Sequence, residues 1–179
     1  MKSKKNTFVS RAAVGCVTTA IFLLLCIIKG IYPFGIATLD TVDFQSQWIP
    51  AYYHVWDVLH GDGSAFFDWR VGGGNNFAGV SAQFSLFSPF NLFFLFVKRS
   101  WIEKSMIEFL LIKLLAMGYG MRWFLKEQIL KEERYGIYIL AGSVGYAVNG
   151  YTLLYYGMGW LDVAAILPLL CYFFCRMAE

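Results

Sequence analysis

The feature that most constrains this chain is a series of apolar runs, each near the length needed to pass through a lipid bilayer. The first, from Ala12 to Ile28, follows directly on a basic start containing Lys2, Lys4, Lys5 and Arg11. A hydrocarbon layer about 30 Å thick requires roughly 20 mainly apolar residues in a helix rising about 1.5 Å per residue. The pattern predicts an all-α membrane protein with about four transmembrane helices, at about 12–31, 105–125, 135–156 and 161–175, and an outer loop over 32–104. Composition agrees: 58% of the 179 residues are hydrophobic and 15% charged, against roughly a quarter charged in soluble domains. The net charge of +3 is small and its basic residues cluster beside the apolar runs, so they read as topology signals, with no nucleic-acid partner.

No small-x-small cleavage site follows Cys26; the chain continues through Lys29, Gly30, Ile31, Tyr32 and Pro33. An uncleaved anchor with a cytoplasmic N-terminus is expected. Under that topology nine of the fifteen basic residues (Lys2, Lys4, Lys5, Arg11, Arg122, Lys126, Lys131, Arg134, Arg176) fall at cytoplasmic ends. Cys16, Cys26, Cys171 and Cys175 all lie in apolar runs and read as small buried hydrophobes, without the spacing of a zinc site or a disulfide framework. Because the chain stops immediately after a spanning run, it is expected to be the N-terminal piece of a longer polytopic protein.

From Tyr32 to about Gln83 the composition shifts to Gly, Asp, Asn and aromatic residues, and five of the six Asp lie there. Phe44, Trp48, Tyr52, Val55 and Leu59 recur at helical spacing, with Asp57 and His60 off that face, which predicts an amphipathic helix on the membrane surface. Pro50 is placed in its first turn or at a kink. Gly72, Gly73, Gly74, Asn75 and Asn76 break any regular element, and match no phosphate loop because no Lys-Ser/Thr follows. Phe84 to Val97 is apolar but interrupted by Pro89 and short for a crossing, so it reads as re-entrant or interfacial.

Chemistry concentrates after the first crossing, in PFGIATLDTVDFQSQWIP from Pro33 to Pro50. Asp40 and Asp43 are placed where a carboxylate can remove a proton from an attacking hydroxyl or hold a cation beside a phosphate; Asp is also common in turns. Trp48, Tyr52, Tyr53 and Trp56 suit stacking on sugars or, the preferred reading, anchoring at headgroups. Lys113 is costly inside a membrane and is expected to snorkel, to pair with Glu108 or Asp162, or to meet a lipid phosphate. Arg70 reads as a phosphate partner or an ordinary exposed arginine, Asn75 and Asn76 as substrate contacts or turn residues, and Asp162 as a cavity residue or a helix cap. His54 and His60, six residues apart, fall on different helical faces and do not read as a metal pair.

Asp43 followed by Gln47 and an aromatic, the Gly-rich loop, Ser88-Pro89-Phe90-Asn91-Leu92, Lys113, the stretch Gly145 to Gly150, and Leu161, Asp162 and Pro168 together resemble the YfhO family of bacterial membrane proteins. The resemblance covers nearly the whole chain. It implies a partial GT-C-like fold in the bacterial plasma membrane, a polyprenyl-phosphate sugar donor and a cell-envelope polymer such as lipoteichoic acid as acceptor. Carried over by position, Asp43 is the expected base, with Asp40 second and also the candidate ligand of a divalent cation, Mg or Mn. Gln47, Arg70, Asn75, Lys113 and Asp162 are the expected substrate contacts. Family members are several times longer than this chain. A membrane glycosyltransferase fragment is the leading expectation, with a transporter or flippase of a lipid-linked precursor as the alternative, and a noncatalytic truncated subunit as a third.

Overall fold

The computed structural model describes residues 2–37, 39, 44–80, 87–130, 135–155 and 160–178, with the backbone alone at 2–10, 80 and 160. The described chain is mainly helical. Helix α1 (Lys2–Ile28) is apolar almost all round, yet it buries only a narrow stripe: Val14, Thr18, Phe22 and Cys26, one residue per turn. Leu24, Ile27 and Ile28 stay exposed. A helix apolar on its outward face suits hydrocarbon rather than water. Gly30, at φ 62°, ends it by reversing the chain.

Helix α4 (Met106–Phe124) is the centre of the bundle and packs against α1, α5 (Gly136–Ala147) and α7 (Trp160–Ala178). Small residues let these helices approach closely. A Cβ added at Gly118 would lie 3.2 Å from Val14 and 3.6 Å from Ala147, and one at Gly120 would lie 3.5 Å from the Ala165 carbonyl. Pro168, inside α7, has no N–H for the carbonyl of Ala164 one turn earlier. The Tyr146 hydroxyl supplies that hydrogen bond from α5, at 2.7 Å.

The run expected as one crossing over 135–156 is broken into α5 and the short α6 (Gly150–Leu154). Asn149 makes the break: its Nδ2 donates to the Tyr146 carbonyl at 2.7 Å, and its Oδ1 accepts from Thr152 N at 3.0 Å. Asn competes with helix continuation in this way and caps the next turn. Among the described residues, three helical stretches are long and apolar enough to cross a membrane: Arg11–Ile28, Gly136–Leu154 and Leu161–Ala178. Helix α4 carries Glu108, Lys113 and Arg122 and packs on three of the others, with Ile112, Tyr119 and Trp123 left exposed. The four cysteines are free, but only Cys26 is buried; Cys16 and Cys175 lie exposed on outward faces, which corrects their reading as uniformly buried.

At the end of the bundle where α1 stops and α4 starts, the long connection folds over the core. A π-helical turn at Phe44–Trp48 runs into α2 (Ile49–Leu59), with Pro50 in its first turn as expected. Phe44, Trp48, Tyr52 and Val55 are buried as the periodicity predicts. Tyr52 packs against Phe94 and Phe109, both 5.3 Å between ring centroids, so this face meets protein and not a headgroup layer. Strands β1 (Phe67–Asp68) and β2 (Asn75–Asn76) pair antiparallel across the glycines, whose φ values of 56°, 78° and 108° only Gly adopts without strain. Helix α3 (Phe77–Val80) follows. In the Pro89 segment, a seven-residue 3-10 helix at Pro89–Leu95 is capped by the Ser88 hydroxyl. It buries Phe94 against α2 and α4 and is far shorter than a crossing.

Candidate functional site

Two clusters of charge sit at this end of the molecule. The outer one borders a cleft of about 950 Å³, lined by Gln45, Gln47, Tyr53, His54, Asp57, Arg70, Arg99 and Glu103 among others. Asp57, expected on the open side of α2, is buried. Two arginines close over it: Arg99 donates from Nε to Oδ1 at 2.8 Å and from Nη2 to Oδ2 at 3.3 Å, while Arg70 donates from Nη1 to Oδ2 at 3.2 Å. Burying a carboxylate without such partners would be prohibitive. Gly63 permits the closure, since a Cβ there would lie 3.1 Å from Arg70 and 3.2 Å from Asp57.

Arg70 is largely committed to protein. Its guanidinium also holds Asp68, with Nη2 to Oδ2 at 2.6 Å, and the Asp62 carbonyl at 2.7 Å. These bonds from Arg70, side chain first and backbone second, keep the Asp68 carboxyl well below the usual range. Arg99 is raised above its ordinary value, first by its hydrogen bonds to Asp57. It lies 4.9 Å over the Tyr53 ring, and the Tyr53 hydroxyl donates to Glu103 at 3.4 Å. Burial, followed by the Glu103 charge, pushes the Tyr53 hydroxyl up. Among the charged side chains that line the cleft, Asp57 and Glu103 balance Arg70 and Arg99.

The second cluster lies within the bundle. Lys113 Nζ sits 2.7 Å from Asp162 Oδ1, with side-chain exposures of 3% and 8%. Lys113 also lies 4.4 Å over the Phe109 ring. Of the expected partners, Asp162 is therefore the one used. Its place in the first turn of α7 adds the favourable field of the helix N-terminus. Two turns into α4, this pair joins the central helix to α7.

The remaining expected residues divide. Gln47 is exposed on the cleft wall. Asn75 is exposed in β2 and its Oδ1 accepts from Asn76 N, a turn role. Trp48 and Tyr52 are consumed by the core, and Trp56 stacks on His60 while donating to the Val97 carbonyl at 2.7 Å. His54 is buried, its Nε2 3.1 Å from the Ser64 carbonyl. Asp40 and Asp43 lie outside the described residues; in sequence Asp43 precedes the cleft residue Gln45 by two positions. Among the described residues no group of three or more His, Cys, Asp and Glu could hold a metal ion.

The family of bacterial membrane protein YfhO matches residues 15–177 of this chain. The chain belongs to the YfhO family. That match takes in most of each candidate span and the whole of the connection, so the cleft and the buried pair both lie within the YfhO region. Comparison with the curated proteins and with the solved structures finds no match. Sequence reasoning on this YfhO chain missed the roles of Asp57, Arg99 and Glu103. Arg99 sits beside Lys98 and reads locally as a topology charge, and its partner Asp57 is 42 residues away.

Proposed function

We propose that this chain carries the donor and acceptor end of a GT-C-like membrane glycosyltransferase, which moves a sugar from a polyprenyl phosphate to a hydroxyl of an envelope polymer such as lipoteichoic acid. The observation that carries the reading is the charge-balanced cleft, walled by Gln47, Tyr53 and Arg99 at the loop end of an apolar bundle. Its polar donors and acceptors beside an aromatic ring suit a hydroxyl-rich ligand better than a polyanion. Membership of the YfhO family supports the setting.

In this reading α4 is the second of four crossings, the N-terminus is cytoplasmic, and the cleft opens on the outer face of the bacterial plasma membrane. Asp43 removes the proton from the attacking hydroxyl, whose oxygen bonds to the anomeric carbon as the bond to the phosphate oxygen breaks. The lipid phosphate leaves. Gln47 orients the sugar, and Arg99, with guanidinium N–H groups left over from Asp57, steadies the developing negative charge. Asp40 is the proposed holder of a divalent cation, a part tested separately by chelation.

In membranes carrying the protein and a radiolabelled prenyl-phosphate sugar, Asp43→Asn is expected to abolish transfer while membrane insertion is unchanged. Transfer at the parental rate would reject Asp43 as base. The buried Lys113–Asp162 pair favours a second reading, a transporter or flippase of a lipid-linked precursor, since ionisable pairs within membranes mark many transport paths. Purified protein in liposomes separates the two: translocation without transfer supports the carrier.

A further inference from the structure

Beside the cleft lies a second cavity of about 390 Å³, lined by Ile31, Tyr32, Gly35, Ile36, Leu39, Glu103, Lys104 and Ile107. Glu103 lines both spaces and so stands between them. We propose that this slot holds a lipid phosphate, with the hydrocarbon chain against Ile31, Ile36, Leu39 and Ile107 and the phosphate on the Lys104 ammonium.

Three observations support the assignment. First, the slot is preformed. Tyr32 N donates to the Ala37 carbonyl at 2.8 Å and Ala37 N to the Gly30 carbonyl at 3.0 Å, closing a tight loop just after α1. A side chain at Gly35 would collide with the Gly30 backbone, so the loop is pinned in this shape. Second, Lys104 makes no ion pair among the described residues and lies over two aromatic rings, 5.7 Å from the Tyr32 centroid and 5.3 Å from that of Trp101. The arginines of the neighbouring cleft, by contrast, are already bound to Asp57 and Asp68. Third, the apolar span of α1 ends at Ile28, three residues before the slot begins. That depth is the headgroup boundary, where aromatic rings and lysines meet lipid phosphates. Of the lining residues, Tyr32 and Ile36 are exposed, as a mouth open to the lipid boundary requires.

A phosphate there would lie next to Glu103, on the boundary of the cleft that is proposed to take the sugar. To that extent the assignment rests on the glycosyltransferase reading, so lipid retention and sugar transfer are measured separately. The protein in neutral phosphatidylcholine nanodiscs is titrated with dioleoyl phosphatidylglycerol and, in a second arm, with a long-chain prenyl phosphate. Bound lipid is read by native mass spectrometry. Retention of either phosphate lipid above phosphatidylcholine is expected, with Lys104→Gln weakening it about fivefold, the scale of one lysine at an anionic surface. Preference for the prenyl arm identifies a donor site; equal retention identifies a headgroup site for bilayer lipid. Ile36→Glu, at a fully exposed position, is expected to weaken retention as well. Unchanged retention in both variants, or no preference over phosphatidylcholine, overturns the slot even if sugar transfer continues. Retention that depends on Lys104 in a protein without transfer upholds the slot and rejects the enzyme.

Discussion

The Lys113–Asp162 pair and the Arg70–Asp57–Arg99 cluster use the same chemistry in opposite surroundings. In the first, one cation meets one carboxylate with almost no access to solvent. In the second, a buried carboxylate is shared by two arginines that are each about half exposed, at 51% and 52%. A dry pair has no substitute for its partner, whereas a wet cluster has water in reserve. The inner pair thus acts as an all-or-none fastener of α4 to α7, and the outer cluster as a brace that tolerates loss.

The largest effect is expected from breaking the inner pair on one side. Lys113→Met leaves a buried carboxylate alone and should cost about 3–5 kcal/mol, read as a lower melting temperature in detergent and a lower folded yield. Adding Asp162→Leu should recover much of that loss. A double variant no better than the single one would show that the two groups do not act as a unit. A smaller effect is expected at the brace. Asp57→Asn removes the charge both arginines face, and after discounting for their exposure the loss should be about 1–2 kcal/mol. Protease cleavage should rise in the 61–76 connection and leave the helices intact; equal loosening of the bundle would erase the contrast between the clusters.

The smallest effect is one of pH. Because Arg70 depresses Asp68 in the folded protein, its stabilisation is fully present above the unfolded carboxyl value of about 3.9. It is lost only as pH falls through the lower folded value. The β1–β2 hairpin should therefore resist pepsin near Phe66 and Phe67 at pH 4 and yield progressively below it, with cleavage normalised to an unstructured peptide. Cleavage that begins well above pH 4 would show that the Asp68–Arg70 contact does not hold the hairpin.

How much was readable in advance differed by element. The buried stripe of α2 followed from the spacing of Phe44, Trp48, Tyr52 and Val55, and the glycine turn followed from backbone sterics. The break at Asn149 was masked by an apolar run that continues on both sides of it, because hydropathy does not register a side chain bonding its own backbone. The link from Tyr146 to the carbonyl freed by Pro168 was equally invisible, since it joins two helices. Within the site, Gln47, anticipated as a substrate contact, lies on the cleft wall, while Arg70, anticipated as a phosphate partner or a free surface charge, is tied into the brace.

By itself the sequence determined that this chain belongs in a membrane and where its apolar stretches and its long connection lie. Those properties reside in consecutive residues: the length of an apolar run and the period of a helical face. The tertiary structure alone decided which carboxylate each cation would meet. Lys113 had Glu108 five residues before it on the same helix, yet packing of α7 on α4 delivered Asp162 instead, and Asp57 became buried because Arg70 and Arg99 arrived from separate parts of the connection. A charge in a dry interior is assigned by whichever partner the packed backbone brings within reach, and that proximity is not a local property of the chain.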